Sequence, residues 1–292
     1  MKDFTIALVQ HASPLKKSRQ NLEATLSWVR KAKKKGADLV VLPELGITGH
    51  GGHESMIQDA EAVPDGESCR ALQALAKELS IYICAGIAEL ERDVHYNCQF
   101  IVGPEGFVGK QRKVHLSGDE YFYFRHGTDL PVFDLPFAKI GIVICFDNAI
   151  PEVARTQAVK GAEVSLAVHA ARVGKWPCTP AQLKLTMKYW LSQWRKLYPA
   201  RATDNGCYIC LNNTIGRSAQ GIKGVEANHI GGLMVYGPTG DLVAENNALR
   251  MKEEMLVVPL KAEPLHEKRM SQCFNLRVRR TEAFRALTEP TA

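Results

Sequence analysis

Three residue types that together can make a nucleophilic site stand at the ends of apolar runs. Glu44 follows ADLVVLP, Lys113 follows GFVGKQR, and Cys145 closes IGIVIC just before Phe146, Asp147 and Asn148. A free thiol ionises near pH ~8.5 and only its thiolate attacks well, so a cysteine nucleophile needs a base or a cation beside it. Glu44 is the candidate to take the proton. Attack on an amide or nitrile carbon places negative charge on oxygen or nitrogen. The Lys113 ammonium and the backbone N–H of Phe146 are the candidates to receive it, each such donor being worth roughly 3–4 kcal/mol of barrier.

For these side chains to meet, the runs that carry them must be strands of layered α/β architecture, whose carboxyl ends form the ligand crevice. The pattern supports this. FTIALV reads as a first strand, Leu22, Leu26 and Val29 recur at helical spacing before Gly36, and ADLVVLP is a buried-strand run. A helix marked by Leu72, Leu75 and Leu79 leads to IYICAGIA, then to two strand-like runs around the turn Gly103-Pro104-Glu105-Gly106. The second half repeats this order: IGIVICF, a helix from Pro151 to Gly161, VSLAVHA, a long helix, CYICLNN and a hairpin around Gly237-Pro238-Thr239-Gly240. Two such units predict a four-layer α-β-β-α sandwich of two pseudo-symmetric halves, because neither half can cover its inner sheet face alone. The long helix starts with Thr179 at the N-cap and Pro180 at N1, carries Leu183, Met187, Trp190, Leu191, Trp194 and Leu197 along one side, and is expected to end or kink at Pro199. Residues 1–262 read as one domain and 263–292 as a polar C-terminal arm at a possible subunit interface.

Composition removes several functional classes. The 292 residues are 46% hydrophobic and 23% charged, a globular balance without 18 consecutive apolar residues, so no membrane span is expected. The net charge of +6 is modest. Arg30, Lys31, Lys33, Lys34 and Lys35 end an amphipathic helix, where cations complement the helix dipole, and Arg277, Arg279 and Arg280 lack interleaved aromatics; nucleic-acid binding gains little from either. Eight cysteines, several inside apolar runs, fit buried free thiols of a reducing cytoplasm better than a disulfide scaffold. The opening MKDFTIALVQH is too short in its apolar run for a signal peptide.

The blocks LVVLPELGITGH, GKQRKVHLSGDE and IGIVICFDNAIPEVAR resemble, in order and spacing, the three signature blocks of the nitrilase superfamily, the carbon-nitrogen hydrolases with a Glu-Lys-Cys site. The resemblance extends over most of the chain, from IALVQ to GGLMVYGPTGDLVAE. It implies Glu44 as general base, Lys113 as oxyanion stabiliser, Cys145 as nucleophile and Glu120, in HLSGDE, as a second glutamate orienting Lys113 or the substrate. It also implies the α-β-β-α sandwich, dimers joined through helices near the nucleophile, a thioester intermediate, and no metal or organic cofactor. Phe146-Asp147 after the cysteine is similar to the amidase and carbamoylase branches, where nitrilases carry Trp-Glu. Amide-type hydrolysis of a small linear amide or N-carbamoyl amine is therefore expected, with nitrile hydrolysis or a non-catalytic interaction role as alternatives.

Arginines that bind a substrate carboxylate in related enzymes are replaced here by Asn148 and Ala149, leaving Arg125, Arg172 or Arg217 as substitutes. The aromatic residue that often follows the first block is His50. With His53 it forms an H-x2-H pair lacking a third ligand, which reads as loop rather than zinc site. Phe146, Asn148, His169 and Tyr121 are the candidate substrate contacts; His126 is a further candidate for the pocket wall. Tyr121, Phe122, Tyr123 and Phe124 cannot all face one way, so some wall the pocket while others pack elsewhere.

Overall fold

The computed structural model describes residues 1–175, 178–218 and 227–289. In the first half β1 (Phe4–Gln10), α1 (Ser18–Lys34), β2 (Leu39–Val41), the single turn α2 (Ser55–Gln58) and α3 (Glu67–Leu79) lead to the meander β3 (Tyr82–Glu91), β4 (Val94–Gly103) and β5 (Gly106–Arg112). The second half runs β6 (Val132–Asp134), β7 (Lys139–Ile144), α4 (Pro151–Val159), β8 (Val164–His169), β9 (Arg172–Lys175), α5 (Pro180–Asn205), β10 (Tyr208–Asn213), β11 (Ile215–Arg217), β12 (Ala227–Ile230), β13 (Leu233–Tyr236) and β14 (Leu242–Glu245). β15 (Glu254–Leu260) and α6 (Ala262–Met270) follow.

Two six-stranded sheets result, ordered β15-β1-β2-β3-β4-β5 and β14-β13-β10-β8-β7-β6. Each has a parallel centre, β1-β2-β3 or β7-β8-β10, flanked by antiparallel strands. The two G-P-x-G turns join the equivalent hairpins β4-β5 and β13-β14. Alternate residues of the parallel strands face opposite ways, and both directions are apolar because both faces are covered. Ile6, Leu8, Leu39 and Val41 of one sheet pack on Ile142, Ile144, Leu166 and Val168 of the other. Ala7, Val9, Val40 and Ile83 instead meet Leu22 and Val29 of α1 and Leu72 and Leu75 of α3. Leu183, Met187, Leu191 and Trp194 of α5 cover the second sheet through Ile209, Leu211 and Met234. The α-β-β-α sandwich expected from the repeat is the observed fold.

Three features differ from the sequence reading. β15 returns from the second half to pair with β1, which would otherwise be an edge; the run EMLVVPL carries a strand pattern that the repeat had no place for. A small three-stranded sheet, β11-β12-β9, comes from strands too short to show periodicity. α5 continues through Pro199 to Asn205 and stops at Gly206, whose φ of +56° fits an αL cap. Beyond residue 262, α6 places Leu265 in the inter-sheet core.

Candidate active site

Each sheet delivers part of one polar cluster. Glu44 leaves the carboxyl end of β2 in a tight turn, with Leu45 at φ +47°. Gly86 on β3 makes the turn possible, because a Cβ there would stand 2.5 Å from Leu45 N and 2.6 Å from Pro43 O. Lys113 follows β5, and its N–H donates to Asn97 O on β4 at 2.8 Å. Glu120 sits in a 3-10 turn, Gly118–Phe122, whose preceding Ser117 donates to Glu120 Oε2 from both N and Oγ at 2.8 Å. Cys145 follows β7 and opens a 3-10 turn at φ +48°, a left-handed conformation unusual for a residue with a side chain. Asn148 Nδ2 holds that turn by donating to Val143 O and Cys145 O, each at 3.1 Å.

The Lys113 ammonium is fully buried and lies 2.8 Å from Glu44 Oε1 and 2.8 Å from both oxygens of Glu120. Asn97 Nδ2 joins the two carboxylates, at 2.7 Å to Glu44 Oε1 and 3.0 Å to Glu120 Oε1. Glu44 Oε2 accepts from the Ala170 N–H at 2.6 Å, a backbone group of the second sheet just past β8. The two halves are thus joined at the cluster itself. Asp147 ties the Cys145 turn to the Lys113 segment, accepting from His115 N at 2.7 Å and pairing with His115 Nδ1 at 2.8 Å.

Burial alone would neutralise these groups, and the charges oppose it. Desolvation pulls Lys113 down, but Glu44 and Glu120 outweigh it and hold the ammonium charged. Desolvation likewise raises both glutamates, and Lys113 brings each below the ordinary carboxylate range. Burial first, and the Glu44 charge second, push the Cys145 thiol up, against the pull of Lys113. With two carboxylates and one ammonium the cluster already carries a net negative charge, so a resting thiolate is disfavoured. The ultraviolet thiolate absorbance of the wild type minus that of Cys145→Ala is expected to stay flat between about pH 5 and 8, whereas a step in that range would indicate a preformed thiolate pair.

The cluster opens into a cavity of about 940 Å³. Cys145, Phe146, Asn148 and His169 line it, as do His50, Arg172, Trp190, Trp194 and Tyr198. Four expected substrate contacts are therefore placed as follows. Phe146 is half-exposed at the mouth and Asn148 is committed through Nδ2 to the nucleophile turn. His169 Nε2 meets Tyr198 Oη at 2.5 Å, and burial pushes its imidazole down to about 4, so it is neutral. Tyr121 is displaced from the expected position: the turn that points Glu120 inward sends Tyr121 out, where it is 65% exposed and outside the cavity lining. Of the other aromatics Phe122 is exposed and Phe124 packs in a small core with Leu45 and Leu116.

Arg172, one of the substitute arginines, reaches the cavity wall and pairs with Asp119 at 2.9 Å. Arg125 hydrogen-bonds through its backbone to His95 O. Arg217 is not among the residues lining the cavity, nor is His126. His53 Nδ1 meets Ser55 Oγ at 2.9 Å and is not paired with His50. Glu44, His50 and Glu120 offer ligand atoms within 4.8 Å of one another, but Lys113 Nζ already occupies the place of a cation between the two carboxylates. Asn97 escaped sequence reasoning, although an Asn inside the strand HYNCQF is a buried polar residue that needs partners. Trp190 and Tyr198 were hidden because the helical stripe of α5 looks like core.

Residues 5–267 match the family model described as carbon-nitrogen hydrolase. The chain is 33% identical to a protein named nitrilase from Pyrococcus abyssi, over 96% of this chain and 98% of that one. It is 30% identical to N-carbamoylputrescine amidase of Arabidopsis thaliana, covering 86% and 84% of the two chains. The crystal structure of a carbon-nitrogen hydrolase from Helicobacter pylori G27 superposes with a TM-score of 0.85 at 24% identity, over 99% of both chains. The extent of these matches, coming on a fold and a polar cluster read independently from the chain, places this protein in the carbon-nitrogen hydrolase family of the nitrilase superfamily, and it is an enzyme of that family.

Proposed function

We propose that the protein is a cysteine-dependent amidohydrolase that cleaves a small linear amide or N-carbamoyl amine through a thioester. The observation that carries this reading is the fully buried Lys113 ammonium, 2.8 Å from both glutamates, with the half-buried Cys145 lining the adjoining cavity. Cys145 Sγ attacks the carbonyl carbon as its proton passes to Glu44. The developing oxyanion draws on Lys113 and the Phe146 N–H. Collapse expels ammonia or an amine, which takes the proton from Glu44. Water then attacks the thioester with Glu44 again as base, releasing the acid and restoring the thiol. Glu120, held by Ser117, keeps Lys113 in place throughout.

The raised thiol favours this concerted route over attack by a standing thiolate. Asp147 after Phe146 supports the amide branch, and the name of the Arabidopsis thaliana relative agrees with it. The name of the Pyrococcus abyssi relative keeps nitrile hydrolysis by the same residues as the second reading. We also infer a cytoplasmic homodimer, supported by the exposed apolar side chains of Tyr121, Phe122 and Trp190. Among the described residues no helix is long and apolar enough to cross a membrane. Ammonia release from a panel of amides, ureides and nitriles tests the main reading. Turnover of amides or ureides is expected; turnover of nitriles alone overturns it, and turnover of none favours a binding role.

A further inference from the structure

His50 stands where the cluster meets the cavity, in a position that none of the proposed steps uses. Its Nε2 lies 3.4 Å from Glu120 Oε1, while its Nδ1 is buried without a hydrogen-bond partner and the residue lines the cavity. A buried nitrogen without a protein partner forgoes its solvation, and this one belongs to a residue lining the cavity, where a ligand atom can meet it.

The tautomer follows from the carboxylate. Glu120 is an acceptor, so Nε2 carries the hydrogen and Nδ1 of a neutral imidazole is a lone pair. Glu120 has its charge met elsewhere, by Lys113, Asn97 and two donors from Ser117. The neutral ring thus offers an acceptor on a residue that lines the same cavity as Cys145. A primary amide or a ureide brings N–H groups to such an acceptor, and a nitrile or an ester brings none.

We propose that His50 is a specificity-determining residue that selects substrates bearing an N–H by accepting a hydrogen bond from it at Nδ1. This rests on the amidohydrolase reading above and adds to it a residue that discriminates between the substrate classes. The best amide or ureide from the panel serves as one probe, and its methyl ester or methyl carbamate, which reacts through the same acyl-enzyme without an N–H at that position, serves as the other.

Three variants separate the two ring nitrogens. Asparagine places a carbonyl oxygen near the Nδ1 position, glutamine places an amide N–H near the Nε2 position, and phenylalanine supplies ring volume alone. The ratio of kcat/KM for the N–H substrate over the ester is expected to fall about tenfold or more in His50→Phe and His50→Gln, the scale of one polar group left unpaired. In His50→Asn it is expected to stay within about threefold of the wild type. Thermal unfolding of each variant, with the rate of Cys145 labelling by N-ethylmaleimide, checks that the site is assembled.

Equal losses on both probes in all variants, or rescue by glutamine and not asparagine, would mean that His50 only props Glu120, and the inference falls while the amidohydrolase reading stands. A ratio that is unchanged in His50→Phe overturns it as well. Failure of the wild type on every amide and ureide of the panel removes the reading on which it rests, and is seen before any variant is made.

Discussion

Replacing Cys145 by alanine is expected to lower kcat/KM by about 10⁴-fold or more while leaving the fold in place. The chemical step needs a covalent partner for the substrate carbon, and Cys145 is the only thiol lining the cavity among the described residues. The stability change should stay within about 1 kcal/mol, since only the sulfur of one half-buried residue is removed. The backbone adds a sharper expectation. At φ +48° a residue with a Cβ pays a steric cost of about 1–2 kcal/mol that glycine does not. Cys145→Gly is therefore expected to be as inactive as the alanine variant and at least as resistant to thermal unfolding. Steady-state kinetics and thermal melts check both, and an alanine variant that retains near-native turnover would remove Cys145 from the nucleophile's role.

Lys113→Met should be damaging in a different way. It leaves Glu44 and Glu120 facing each other without the ammonium that lies 2.8 Å from each. Breaking a buried ion pair by removing one partner typically costs about 3–5 kcal/mol. Activity should be lost as well, because the same ammonium is the proposed oxyanion donor. The pH dependence identifies the cause. In the wild type both carboxyls lie below their ordinary range, so their contribution is present above the unfolded value of about 4.3 and is lost as pH falls through the folded values. In the variant burial acts without the opposing ammonium and raises them, so the folded state binds protons more readily than the unfolded chain. Its deficit is then greatest at alkaline pH and shrinks as pH falls and the carboxyls are protonated. Melting both proteins across about pH 5 to 8 should show the gap closing toward acid. A gap independent of pH would mean that lost packing, not uncompensated charge, is the damage.

The parts of this molecule that were legible in the sequence share a cause. Strands buried on both faces leave continuous apolar runs, and Glu44 and Cys145 stand where such runs stop, while Lys113 follows the mixed edge strand GFVGKQR. The parallel centres and paired hairpins follow from the repeated order of elements. What escaped depends on distance in space. Asn97 looks like one polar residue in a strand until Glu44 and Glu120 are seen on either side of its amide. Tyr121 adjoins Glu120 in sequence, yet a 3-10 turn rotates neighbouring side chains apart, and adjacency misplaced it. The pocket wall on α5 was masked because apolar periodicity marks a buried face without saying whether protein or substrate will cover it.

The hydrogen bond from the Ala170 N–H to Glu44 has a temporal consequence. Glu44 is translated in the first half of the chain, and the backbone that fixes its second oxygen is made 126 residues later. On the ribosome the emerging chain therefore carries Cys145 as an ordinary sulfhydryl, and the carboxylate meant to receive its proton is not yet aimed. Chemical potency arrives with closure of the two halves rather than with synthesis of the residues. In the proposed mechanism a copy that stops short of Ala170 lacks the donor that aims its base, and is expected to be inert toward amides.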